Sequence, residues 1–247
     1  MTAGVAIEHR GVVTHLRLCQ PGNALTEPAI TALLCHLRAA ERAPRCRAVV
    51  LTSTGDAFCS GVDLTDLAGD PDAAERVSAA FWALLTAWAD SPLLTVAVVE
   101  GPATGGGVGL AGAADLVLAG PRATFRLTEL ALGLVPAFIL PFVLARTGEH
   151  RLMRLALGGA EVDASGAVEL GLADELVTDA GAATDRVLLL VRRSSRPAVA
   201  GLKACRRALR PVPADYPRQA TALLRRAVTD PAFVGRVDAL RRQGTRR

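Results

Sequence analysis

Residues 101–120, GPATGGGVGLAGAADLVLAG, are where residue type and spacing first suggest chemistry in this 247-residue chain. Glycines after an apolar stretch can let backbone close on a phosphate, or leave amide N–H groups free for another anion. Gly107, Gly109 and Gly112 satisfy the spacing GxGxxG. A dinucleotide site also needs a full crossover helix and an acidic residue about 20 positions on. Here a short segment leads straight to DLVLAG, which ends in Ala119-Gly120-Pro121 with no carboxylate. The nucleotide reading is rejected. The alternative is a helix start whose unpaired donors, at the positive end of the helix dipole, face a developing oxyanion. Each such donor contributes about 3–4 kcal/mol to a transition state. A second glycine-marked bend, AFCSGVDL (57–64), comes after the apolar run AVVLTS. There Gly61 allows a sharp turn, Asp63 can cap the next turn of chain, and the Val62 N–H can supply a second donor.

The elements that must hold these bends follow from periodicity. VVTHLRL (12–18), AVVLTS (48–53), LLTVAVV (93–99) and DLVLAG (115–120) are short, branched and bounded by turn residues, which predicts strands. TEPAITALLCHLRAAER (26–42) and DAAERVSAAFWALLTAWAD (72–90) carry helical periodicity. Alternating strand and helix predicts an α/β core, assigned to residues 1–190. Beyond 138 the pattern is helical, in Arg-rich stretches at 179–195, 198–210, 214–228 and 230–243, with one strand candidate, ADELVTD. Residues 191–247 are expected to form a helical C-terminal region.

Composition removes several classes of function. No run approaches the roughly 18 apolar residues of a membrane span, so no membrane partner is expected. The start, MTAGVAIEHR, lacks the basic and apolar regions of a signal peptide, which predicts a cytoplasmic protein. Five cysteines form no CxxC pair and four histidines no HxxxH spacing, so neither a disulfide framework nor a metal site is expected. From Arg192 onward stand 14 Arg and Lys203 against three Asp, whereas residues 1–191 are net acidic. That cationic region suits solvated helix faces or an acidic partner. Aromatics are too scarce for base stacking, so nucleic acid is not expected.

Several segments together resemble the crotonase superfamily, the enoyl-CoA hydratase and isomerase fold. They are NAL (23–25), FCSGVDL (58–64), GPATGGGVGLAGAADLVLAG (101–120), ATFRLTELALGLVP (123–136) and ALGGAEVDASGAVELGLADELV (156–177), in family order over about residues 10–180. The resemblance implies a spiral of ββα units, a C-terminal helical trimerisation region giving a homotrimer or hexamer, and acyl-thioester substrates. It implies no cofactor beyond the CoA or phosphopantetheine that the substrate carries. By position, the Val62 and Gly106 amides would form the oxyanion hole and Glu129 would move the proton. The other matched positions would bind substrate: Asn23 and Ala24; Ser60, Gly61, Asp63 and Leu64; Gly105 and Gly109; Leu127; and Pro136 with Ala137.

Departures from the family narrow the chemistry. Its hydratases carry two glutamates, and the position of the first is Gly109, which leaves Glu129 alone. One carboxylate serves a syn dehydration of a 3-hydroxyacyl thioester, a proton shuttle in an isomerase, or a decarboxylase built on the same hole. A catalytically silent thioester-binding subunit also fits. A usual PGxGG segment is replaced by Pro136-Ala-Phe-Ile-Leu-Pro141, in which Phe138, Leu140 and the next residue, Phe142, are expected mainly to pack the core. These features resemble the polyketide β-branching branch, whose members dehydrate a 3-hydroxy-3-methylglutaryl group on an acyl carrier protein. The segment before NAL, Gln20-Pro21-Gly22, lacks the basic residue that often meets CoA phosphate. Lys203, the sole lysine, is distant in sequence from both bends, which disfavours a lysine-assisted decarboxylase.

Overall fold

Thr26 starts the chain's first α-helix. Its Oγ1 accepts the Ala29 N–H at 3.3 Å, with Pro28 in the first turn, so α1 runs Glu27–Arg42. Ile30, Leu33, Leu37 and Ala40 recur at helical spacing and are fully or almost fully buried. The structure, a computed structural model, describes residues 3–244; Arg246 and Arg247 of the cationic region lie outside them. The strands are β1 (Val5–Arg10), β2 (Val13–Leu18), β3 (Ala48–Ser53), β4 (Leu94–Val99), β5 (Pro102–Thr104), β6 (Leu116–Ala119), β7 (Thr124–Arg126), β8 (Val162–Asp163) and β9 (Glu175–Leu176). The remaining helices are α2 (Pro71–Asp90), α3 (Gly106–Gly112), α4 (Leu140–Thr147), α5 (Glu149–Gly158), α6 (Ala164–Leu170), α7 (Ala180–Arg193), α8 (Arg196–Leu209), α9 (Tyr216–Val228) and α10 (Pro231–Gly244).

Six strands form one sheet in the order β1-β2-β3-β4-β6-β9, and β5-β7-β8 form a second. Within the larger sheet only β1 and β2 are antiparallel; the other neighbours run parallel. From β4 onward the chain passes repeatedly between the sheets, giving the expected spiral. Strand residues alternate between two apolar layers. Val49 and Leu51 face α1 and α2, whereas Val50, with Val96 and Leu118, meets Ala183, Val187 and Val191 of α7. The four strands predicted from sequence are present, and β9 falls within the strand candidate ADELVTD. β1, β5, β7 and β8 are additional.

The expected division at 190/191 falls inside α7, which continues to Arg193 because its apolar face covers the large sheet. The break comes at Ser194-Ser195, where Ser195 Oγ accepts the Ala198 N–H and starts α8. The helices after it fold back on their own core. Tyr216 Oη donates to Ala137 O at 2.7 Å, α9 packs along α2, and Phe233 and Val237 of α10 are buried.

Lys203 fixes α8 to this core. Its Nζ lies 2.6 Å from Asp115 Oδ2 and donates to Leu93 O at 2.8 Å. Asp115 Oδ2 also accepts from Thr95 N and Oγ1. Removing one partner of a buried pair leaves the other charge desolvated. Lys203→Met is therefore expected to lower unfolding free energy by about 3 kcal/mol in urea titrations. Lys203→Met/Asp115→Asn should cost less than the sum of the single changes, since both remove the same pair.

Candidate active site

Backbone pairing brings the two glycine-marked bends together. Leu25 N donates to Gly61 O and Asp63 N to Leu25 O, so Val62 is pinned from both sides. Phe58 N donates to Pro102 O and Thr104 N to Cys59 O, which ties the same loop to β5. Gly105 N in turn donates to Arg126 O at the end of β7. Three separate segments thereby meet at the start of α3.

Gly61 has φ +97°, and a Cβ there would stand 2.9 Å from Thr104 O, so only glycine makes this bend without displacement. A Cβ built on Gly106 would lie 3.1 Å from Val62 N, which places the two bends in contact. Among the described residues, neither the Val62 N–H nor the Gly106 N–H finds a backbone acceptor. Gly106 is the first residue of α3, where an N–H has no partner within its helix. Two unpaired amides side by side form a cradle for one oxyanion.

Glu129 comes three residues after the end of β7 and opens a 3₁₀ turn, Glu129–Leu132, that ends at Gly133. A Cβ on Gly105 would lie 3.0 Å from Glu129 Oε1, so the carboxyl group adjoins the cradle. Its Oε2 is buried without a hydrogen-bond partner among the described residues. Burial pushes the Glu129 carboxyl above the usual carboxylate range, and the backbone N–H groups of Glu129 and Thr128 offset this only in part. A carboxylate with an elevated pKa and a free oxygen is suited to taking and returning a proton.

These groups open into a cavity of about 350 Å³. Ala24, Ser60, Gly61, Val62, Asp63, Leu64, Gly105, Gly106, Glu129, Pro136 and Ala137 line it, which accounts for most of the residues singled out in the sequence. Three fall elsewhere. Asn23 is buried and braces the loop instead, its Nδ2 donating at 2.8 Å to both Thr54 O and Ala57 O. Leu127 is buried beside β7, outside the lining.

Gly109 is the third. A Cβ there would sit 2.0 Å from Ile139 Cγ2 and 2.6 Å from its Cβ. Ile139 thus occupies the space that a side chain at 109 requires. The missing first acid and the replaced glycine-rich segment are one structural feature, not two. Gly109→Ala is expected to cost about 1–3 kcal/mol through overpacking, and Ile139→Ala in the same chain should recover most of it. Additive losses in urea unfolding would contradict this contact.

Sequence reading missed the opposite wall: Val77, Ser78 and Phe81 of α2, Leu132 and Leu134, and Leu224 and Val237 from α9 and α10. The i, i+1, i+4 spacing of the α2 residues was the one available signal. Phe138 and Ile139 also line the cavity, while Leu140 and Phe142 do not. Phe142 packs against Trp82 with ring centroids 5.8 Å apart. Packing therefore describes two of the three residues considered, and Phe138 shapes the pocket.

A larger cavity, about 840 Å³, lies between the ends of α2, α3 and α8. Its acids are engaged: Asp174 by Arg146 at 2.9 Å, Asp115 by Lys203, and Asp90 by Arg207 at 3.2 Å. Lys203 itself lies outside the smaller cavity. Among the described residues, no group of three His, Cys, Asp or Glu could hold a metal ion, and no helix is long and apolar enough to cross a membrane.

A two-sheet spiral with this cavity at the start of α3 defines the crotonase class of fold. A crystal structure of an enoyl-CoA hydratase from Mycobacterium avium subsp. paratuberculosis K-10 matches it with a TM-score of 0.85 at 27% identity, covering 96% of this chain and 98% of that one. The family model described as enoyl-CoA hydratase/isomerase matches residues 8–221. The chain belongs to the enoyl-CoA hydratase/isomerase family. The bacillaene synthase dehydratase PksH of Bacillus subtilis is 28% identical over 158 residues, 63% of this chain and 61% of that protein. The enoyl-CoA hydratase ACTT6 of Alternaria alternata is 34% identical over 171 residues, 68% of this chain and 57% of that protein. The chain thus spans less than two thirds of the length of either relative.

Proposed function

We propose that this chain is a lyase that removes water from a 3-hydroxyacyl thioester. The Val62 and Gly106 amides hold the thioester oxygen, and Glu129 takes the proton from the α-carbon as the electron pair moves onto that oxygen. The enolate then collapses, the carbon–oxygen bond at the β-carbon breaks, and Glu129 returns its proton to the departing hydroxide as water. One observation carries this reading. A single carboxyl, with one buried oxygen unpartnered among the described residues, adjoins two unpaired amides, and Ile139 fills the space of a second acid. A lone group can serve both proton steps because elimination gives back the proton that abstraction took.

The likeness to PksH, a bacillaene synthase dehydratase, supports dehydration, and the resemblance to the polyketide β-branching branch suggests an acyl group held on a carrier protein. The Arg-rich C-terminal region would suit an acidic carrier, and the lack of a basic residue in Gln20-Pro21-Gly22 argues against free CoA. The 3-hydroxy-3-methylglutaryl group is the substrate of the branch that this chain resembles. It brings a distal carboxylate, however, and the lining residues include Asp63 and Glu129 but no Arg or Lys. Burying an ion without a partner costs several kcal/mol. We therefore favour an uncharged acyl chain. The family resemblance suggests assembly into a trimer or hexamer, which would cover exposed leucines such as Leu202 and Leu209, and cysteines outside any disulfide among the described residues suit a reducing, cytoplasmic setting.

Intact-mass analysis of an acyl carrier protein loaded with a 3-hydroxyacyl group tests the reaction. Incubation should remove one water. No loss of water here, with loss of carbon dioxide from a carrier loaded instead with a 3-methylglutaconyl group or a moved double bond at unchanged mass on a carrier loaded with an enoyl group, would replace dehydration by decarboxylation or isomerisation. An unchanged acyl group on a carrier that still binds would mark a silent subunit.

A further inference from the structure

Two residues that line the active-site cavity each carry a polar atom that is buried without a partner among the described residues. Glu129 Oε2 is one and has a role in the proposed reaction. The other is Ser78 Oγ. Ser78 is 2% exposed and stands in the middle of α2, between Val77 and Phe81 on the cavity wall. A serine within a helix commonly donates back to the carbonyl four residues earlier, and this one does not. Alanine would suit the helix better and would leave no hydroxyl unpaired. The other buried unpartnered groups, on His36, Glu41 and Trp88, lie outside this cavity. An unmatched hydroxyl in an otherwise apolar stretch of binding wall calls for an oxygen or nitrogen on the ligand.

Its position says which part of the ligand. Phe81, three residues on, reaches the oxyanion cradle: its Cζ would lie 3.3 Å from a Cβ on Gly106. Three helical residues rise about 4.5 Å, so Ser78 stands roughly one turn away from the reacting carbonyl. A serine hydroxyl both donates and accepts, and so pairs with a hydroxyl or a keto oxygen. It does not neutralise a carboxylate, and no cation lines this wall. From this we infer that Ser78 hydrogen-bonds an uncharged oxygen carried on the acyl chain beyond the reacting carbons. Resting on the thioester-binding reading above, this narrows the substrate class to oxygenated acyl thioesters.

The test is a binding measurement, so that it does not depend on turnover. Saturated hexanoyl-pantetheine and its three forms hydroxylated at the fourth, fifth or sixth carbon are titrated against the full chain by calorimetry. One hydroxylated form should bind about tenfold more tightly than the parent, as one buried hydrogen bond allows. In Ser78→Ala that preference should fall to about one. Ser78→Cys, which keeps the side-chain volume with a weaker donor, should lose most of it and serves if the alanine variant does not fold. The inference is overturned if no hydroxylated form exceeds the parent by more than about twofold, or if the preference survives both substitutions. Intact-mass analysis of the 3-hydroxy thioesters reports on dehydration separately. A Ser78-dependent preference without water loss keeps this inference and overturns the reaction, and water loss without the preference does the reverse.

Discussion

Glu129→Gln is expected to lower turnover of a 3-hydroxyacyl thioester by about 10²- to 10⁴-fold, the range for losing a positioned acid–base group. Thioester binding should persist, because the amides of Val62 and Gly106 and the apolar walls remain. The pH dependence separates this from a structural effect. Burial raises the pKa of Glu129, and the group must be ionised to accept a proton. The rate should therefore rise with pH through a midpoint above the ordinary glutamate value of 4.5, and the residual rate of the variant should lack that limb. Stability moves in the opposite sense. The folded chain holds this proton more tightly than the unfolded chain, so its contribution is complete below the usual carboxylate range and is lost as pH rises through the elevated value. Denaturant midpoints across that window should decline less for Glu129→Gln than for the parent.

Gly61→Ala is expected to cost about 10²- to 10³-fold in turnover, comparable with removing one oxyanion donor. The substitution removes no group that touches substrate. It acts because φ at this position is +97° and the new Cβ would press to within 2.9 Å of Thr104 O. Relief requires the bend to shift, and the shift carries the next amide, Val62 N, away from Gly106 N. A residue forced into this backbone region also costs about 1–3 kcal/mol of stability. Parallel kinetics and urea unfolding divide the two effects. Lost stability with an unchanged rate would show that the Val62 amide does not hold the reacting oxygen.

The contrast between these residues and others explains what the sequence could disclose. Both bends were legible because glycine types and flanking strands mark them locally. Helix starts such as Thr26 were legible for the same reason, since a cap and its helix are adjacent in the chain. β1 escaped notice because its residues are mostly exposed after Val5, which leaves no apolar alternation to read. β5, β7 and β8 span only two or three residues, too few for any period. Glu129 lies in a single 3₁₀ turn and was identified only through the family resemblance. The contact between Gly109 and Ile139, and the unpaired hydroxyl of Ser78 beside a cavity lined by residues far along the chain, are products of packing. No local pattern encodes them.

The most direct measurement of the central claim is a crystal structure with a saturated, unreactive acyl-pantetheine thioester bound. The thioester oxygen should lie about 2.7–3.1 Å from both Val62 N and Gly106 N, with the Glu129 carboxyl against the α-carbon. A thioester oxygen that meets only one of those nitrogens, or an acyl chain seated in the larger cavity near Arg206 and Arg210, would contradict it.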